Sequence, residues 1–145
     1  MKKIVQKQLG ELLVEGGVIA PQNLDESLEI QREKGGLLGE ILIRLGYATE
    51  QAIAQALTVQ YGFPYLPLAD YEIDAEIART IPQALARKYG LVAVDRLGNI
   101  LTVAMCNPLN AEAVEEVEKT TGLNVQIFVA TQSDVSEAIG RCYKD

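Results

Sequence analysis

Two glutamines stand where an aliphatic residue would be expected. Gln31 ends the helical stripe Leu24-Leu28-Gln31, and Gln60 ends the stripe Ile53-Leu57-Gln60. A primary amide there brings two donors and one acceptor to an otherwise apolar face. A single such glutamine bonds the loop that follows its helix; two in equivalent places can flank a bound planar group. Gly10 and Gly39 form a second pair. Inside a short helix glycine costs about 1 kcal/mol relative to alanine. Each glycine therefore marks a close helix crossing, a helix that starts later, or a point where a flat ligand reaches the backbone. Glu11 and Glu40 form a third pair. Paired carboxylates can do acid–base work, but nothing near them in sequence would raise a pKa or supply a nucleophile. They read as solvated helix charges.

The rest of the composition argues against catalysis. Histidine and tryptophan are absent, which removes the commonest general base and the commonest metal ligand. There is no GxxxxGK[ST] phosphate loop and no GxSxG elbow. Cys106 and Cys142 lie far apart with no CxxC spacing, and read as reduced thiols of a cytosolic protein. No enzyme, metal site or resident cofactor is expected. Net charge is −7, with six basic and eight acidic side chains in the first sixty residues and seven and twelve in the remainder. Without a basic stripe, DNA and long RNA are not expected partners. A small anion would have to be held largely by backbone amides and helix N-termini. No run approaches the roughly 20 apolar residues of a membrane span, and the N-terminus has no secretory signal pattern.

The glutamine, glycine and glutamate pairs belong to one repeat. Residues 8–31 (QLGELLVEGGVIAPQNLDESLEIQ) align with 37–60 (LLGEILIRLGYATEQAIAQALTVQ), and eight of twenty-four positions are identical. A helix over 4–16 ends at Gly16-Gly17; Pro21 opens a second; 37–45 repeats the first and Gly46 stops it; Thr49 caps a fourth over 50–61. The matched aliphatic residues Leu9, Leu13, Leu24, Leu28, Leu38, Leu42, Ile53 and Leu57 are first of all core. Some can double as walls around a nucleobase. The two copies are expected to fold into matching halves that frame one shared apolar groove.

Residues 62–73, with two prolines, read as an irregular connector. A short helix over 74–80 and one from Pro82 through Tyr89 follow. LVAVD (91–95) and NILTVAM (99–105) suggest a hairpin. Residues 110–121 show helical spacing with an acidic, solvated face, VQIFVA (125–130) is a third strand, and Thr131 with Asp134 resembles a capping box opening a helix over 132–142. The expected class is α+β: an N-terminal four-helix lobe of two helix-loop-helix repeats (1–61), the connector (62–73), and a small C-terminal α/β lobe with about three strands (74–145). Each lobe alone buries little, so the two should pack together.

The doubled pattern xLGxxLxxxGxxxxxx[LI]xxxLxxQ, with its five-residue spacer, resembles the MshEN-type domain found at the N-terminus of type II secretion and type IV pilus assembly ATPases. YGFPYLPL, IPQALARKYGLVAV, LTVAMCNPLN and DVSEAIGRCY look like the rest of that domain. The resemblance implies a non-catalytic cytosolic regulatory module that binds cyclic di-GMP, each repeat wrapping half of the ligand. Its implied ligand residues are Gln8, Leu9, Gly10, Leu13, Gly17, Leu24, Leu28 and Gln31 in the first copy. In the second they are Leu38, Gly39, Leu42, Gly46, Ile53, Leu57 and Gln60, with Asn107 added from the second lobe. Gln8 stands where the family often has arginine, and Asn107 where it often has aspartate. Glutamine cannot stack on guanine as a guanidinium does, and asparagine offers a neutral carbonyl in place of a carboxylate. The implied partners are an ATPase motor domain, in cis beyond residue 145 or in trans, and the cytoplasmic part of an inner-membrane platform protein. That would leave the chain cytoplasmic and peripheral to the inner membrane. The alternative is a docking adaptor of the same family with lost or weakened nucleotide binding.

Overall fold

The computed structural model describes residues 9–143, except the side chains of residues 59–61. Residues 4–8 of the first expected helix, with Gln8, lie outside that range, as does the Gln60 side chain. Helix α1 is described over Leu9–Glu15, and α2 (Pro21–Lys34), α3 (Leu38–Arg44) and α4 (Glu50–Tyr61) follow the repeat. The two copies make the same turn. Gly17 and Gly46 have φ of 75° and 79°, a region open to glycine at little cost. Val18 N–H donates to Leu13 O at 2.9 Å, and Tyr47 N–H donates to Leu42 O at 3.0 Å. The next caps differ in chemistry but not in place. Asn23 Oδ1 accepts from Ala20 N at 2.9 Å, whereas Thr49 Oγ1 accepts from Ala52 N at 3.1 Å.

Leu12, Leu13, Leu42 and Leu57 are fully buried between these helices. Ser27 is also fully buried, and its hydroxyl has no hydrogen-bond partner. The equivalent residue of the second copy is Ala56, a buried methyl. Removing an unpaired buried hydroxyl relieves its desolvation cost. Ser27→Ala should therefore raise stability by about 1 kcal/mol, read as a higher denaturant midpoint at unchanged slope.

The segment 62–73 is more ordered than its prolines suggest. It carries a 3-10 turn at Leu68–Asp70, and its backbone pairs with the sheet: Leu66 N–H donates to Val129 O at 2.9 Å and Val129 N–H to Pro64 O at 2.8 Å. The outward backbone groups of an edge strand need partners, and this stretch supplies them. Helices α5 (Ala75–Ala78) and α6 (Gln83–Tyr89) lead into β1 (Leu91–Leu97) and β2 (Ile100–Met105), the expected antiparallel hairpin. Helix α7 (Ala111–Thr121) then crosses over to β3 (Asn124–Val129), which runs parallel to β2, and α8 (Gln132–Cys142) closes the fold. The sheet order is β1-β2-β3. Helix α7 is less freely solvated than its acids suggest, because Glu118 accepts from Val125 N at 2.9 Å and Glu116 accepts from the Tyr89 hydroxyl. One hydrophobic core lies under the sheet. The other lies among α1–α4 and takes in Val129 of β3, with Leu109 and Phe63 packed against it. The two lobes thus share an apolar junction, and the architecture is the expected α+β.

Candidate ligand-binding cavity

Two successive strand-to-helix turns build one wall of a cavity. After β2, residues Cys106–Asn110 turn into α7. Asn107 Oδ1 accepts from Leu109 N at 3.2 Å, and Asn110 caps the helix by accepting from Ala113 N at 3.2 Å. After β3, Ala130 and Thr131 turn into α8, and Thr131 Oγ1 accepts from Asp134 N at 3.3 Å. Parallel strands place these turns side by side at their carboxyl ends, the position where open α/β sheets bind ligands. The opposite wall is the helical lobe. Between them lies a cavity of about 370 Å³, within the range of small-molecule sites.

The first turns of several helices face this space. The lining includes Leu37, Leu38 and Gly39 at the start of α3, and Glu50 at the start of α4. It also includes Asn110 and Ala111 at the start of α7, and Thr131 and Gln132 at the start of α8. First-turn N–H groups lack intrahelical acceptors and carry partial positive charge, so their convergence favours an anion or carbonyl-rich ligand.

The repeat residues divide between this cavity and the core. Leu9, Leu28, Gln31, Leu38, Gly39 and Ile53 line it, and Asn107 joins them from the second lobe. Leu13, Leu42 and Leu57 are fully buried core instead. Gly17 and Gly46 shape the turns outside the cavity, and Leu24 packs on Gly10 rather than on the open space. The expectation that the two copies fold into matching halves framing one shared apolar groove needs correction. Their apolar faces are consumed by packing on each other, and the second lobe supplies the other wall through Tyr89, residues 106–111 and residues 130–132. Of that wall the sequence reading named only Asn107. The signal available was a strand followed at once by a capped helix, twice, at Asn110 and Thr131.

The matched polar residues are not equivalent in space. Gln31 Nε2 donates to Gly36 O at 3.1 Å, the loop contact expected of a single glutamine, and the residue lines the cavity. Glu40 accepts from Arg44 at 3.2 Å and is solvated, as expected. A Cβ on Gly10 would lie 2.3 Å from Leu24 Cδ1, whereas one on Gly39 would meet nothing closer than Leu9 Cδ2 at 3.7 Å. Gly10 is a packing glycine and Gly39 is open to the cavity. Gly39→Ala should therefore be neutral or stabilising by about 0.5 kcal/mol, while Gly10→Ala should lose about 1–2 kcal/mol to overpacking. Parallel thermal melts would show the opposite signs.

Cys106 and Glu50 complete the lining. Burial pushes the Cys106 thiol up to about 12, and the Glu50 and Glu40 carboxylates add to the shift. It is a neutral wall group at physiological pH. Glu50 is held by Ser133, whose backbone N–H and hydroxyl donate to its two oxygens at 2.5 and 2.8 Å. Among the described residues no cluster of three or more His, Cys, Asp or Glu could hold a metal ion. No described helix is long and apolar enough to cross a membrane.

A cavity between two lobes, walled by helix first turns and aliphatic side chains, has the form of a small-molecule site. The MshEN domain profile matches residues 61–145, so the chain belongs to the MshEN domain family. The type IV pilus assembly ATPase PilB of Myxococcus xanthus (strain DK1622) is 36% identical over 138 residues, covering 95% of this chain and 24% of the relative. The chain thus spans about a quarter of that relative's length. The solved structure of MshE with cdg has a TM-score of 0.68 at 28% identity, covering 94% of this chain and 99% of that one. The N-terminal domain of XpsE has the same fold, with a TM-score of 0.73 at 20% identity over 99% of this chain and 100% of that one.

Proposed function

We propose that this domain is a non-catalytic regulatory module of a type II secretion or type IV pilus assembly ATPase, that it acts in the cytoplasm, and that it binds cyclic di-GMP in the cavity between its lobes. The observation that carries this reading is the meeting of the α3, α4 and α7 first turns with aliphatic repeat residues in one cavity at the carboxyl ends of β2 and β3, beside an α8 start that Glu50 already holds. In a chain of net charge −7, such backbone dipoles are the means by which a phosphodiester can be held without a basic patch. The aliphatic wall of Leu9, Leu28, Leu38 and Ile53 suits a purine face, and Gln31 Oε1 and Asn107 Nδ2 offer an acceptor and a donor for base edges. The likeness to MshE with cdg supports the same ligand. The motor domain would lie on another part of the same polypeptide or on a partner. Calorimetric titration of the chain with cyclic di-GMP tests the proposal. Saturable heat is expected, and no heat at high-micromolar protein would sink it.

A separate observation favours a second role alongside the first. A groove of about 820 Å³, floored by Phe63, Pro64, Leu109, Val114 and Ile127, opens between α7 and the sheet, away from most of the cavity lining. Docking to the cytoplasmic part of an inner-membrane platform protein would use such a face. Val114→Asp should then abolish capture of that purified cytoplasmic part while leaving nucleotide titrations unchanged.

A further inference from the structure

Among the described residues that line the cavity, Glu50 is the one acidic or basic side chain, and its carboxylate opposes an anionic ligand. The repeat shows that the helix start does not demand an acid there. The equivalent residue of the first copy is Pro21, and α2 begins at Pro21 just as α4 begins at Glu50. What the acid adds is reach. Its carboxylate crosses to the other lobe and takes both the Ser133 backbone N–H and the Ser133 hydroxyl, at the first turn of α8. These hydrogen bonds tie α4 to α8 across the junction of the lobes. The remaining junction is apolar, through Val129, Leu109, Phe63 and the approach of Leu37 to Gly90. The same carboxylate projects its field into the cavity, where it acts on Cys106.

We propose that Glu50 sets the cavity's affinity for anions: its carboxylate latches the two lobes together across α8 and at the same time repels a phosphate group that enters. This rests on the ligand reading above and adds the residue that regulates it. A charge at the start of α8 already satisfies that helix end, so an incoming anion finds that donor pair occupied and a like charge beside it.

Two variants separate the roles. Glu50→Gln keeps an acceptor for Ser133 and removes the charge; Glu50→Ala removes both. Hydrogen exchange of the Ser133 amide, measured without ligand, should accelerate at least roughly tenfold in Glu50→Ala if a latch is lost. Cyclic di-GMP should bind Glu50→Gln about tenfold more tightly than the native chain at low salt, the scale of one like charge removed. The advantage should shrink at high ionic strength as screening grows. Unchanged exchange at Ser133 in Glu50→Ala would overturn the latch. Equal or weaker binding by Glu50→Gln would overturn the affinity claim. If neither protein binds cyclic di-GMP, the ligand reading falls and the affinity claim with it, while exchange at Ser133 still decides the latch.

Discussion

Replacing Gly39 by leucine should abolish cyclic di-GMP binding, by roughly thirtyfold or more, and leave the protein folded. The position has space for a Cβ, because the nearest atoms would be Leu9 Cδ2 at 3.7 Å and Ile53 Cδ1 at 3.9 Å. Its backbone is not in the left-handed region, so a larger residue meets no conformational penalty. Leucine is also the better helix former. A side chain longer than a methyl must extend from the start of α3 into the cavity, which Gly39 lines. The volume it takes is the volume a base or phosphodiester would need. Calorimetry would read the lost affinity and a thermal melt the retained fold. A leucine variant that binds like the native chain would remove Gly39 from the site.

Leu57→Ala should cost about 3 kcal/mol, the usual range for emptying a buried leucine site. For a domain of this size that corresponds to a melting temperature lower by roughly 10 °C. Leu57 has no exposed surface and belongs to the helical core. Its repeat partner Leu28 is half-buried and faces the cavity, so Leu28→Ala should lose less than about half as much stability. The contrast matters because the two residues are interchangeable in the sequence pattern. Differential scanning calorimetry of the pair would show it, and equal losses would mean that the copies are buried alike.

That pair also shows how far the sequence could be read. Element positions followed from local chemistry. Pro21, Thr49 and Gly122 mark helix ends, the Gly98 turn joins two β-branched runs, and all of these elements form where local chemistry places them. A repeat, however, specifies which positions face inward and not what lies opposite. Leu13 and Leu42 meet in the core as a matched pair, but Leu28 and Leu57 do not, because the second lobe covers one side of the helical lobe only. Gly10 and Gly39 part company for the same reason. The parallel pairing of β2 with β3 was equally out of reach, since a strand run carries no mark of its neighbour's direction. Yet that pairing places Asn107, Asn110 and Thr131 at one edge and so creates the second wall. Ser27, a polar residue buried without a partner, breaks the pattern of the repeat for no reason visible in its contacts.

The central claim is that the ligand sits between the lobes, with the two strand-to-helix turns on one side and the repeat on the other. Amide chemical shifts recorded during titration with cyclic di-GMP test it most directly. The account predicts that the largest shifts fall together on Gln31 and Gly39 and on Asn107, Thr131 and Gln132, one set from each lobe. Shifts confined to the helical repeat, or clustered on the groove beside Val114, would contradict it.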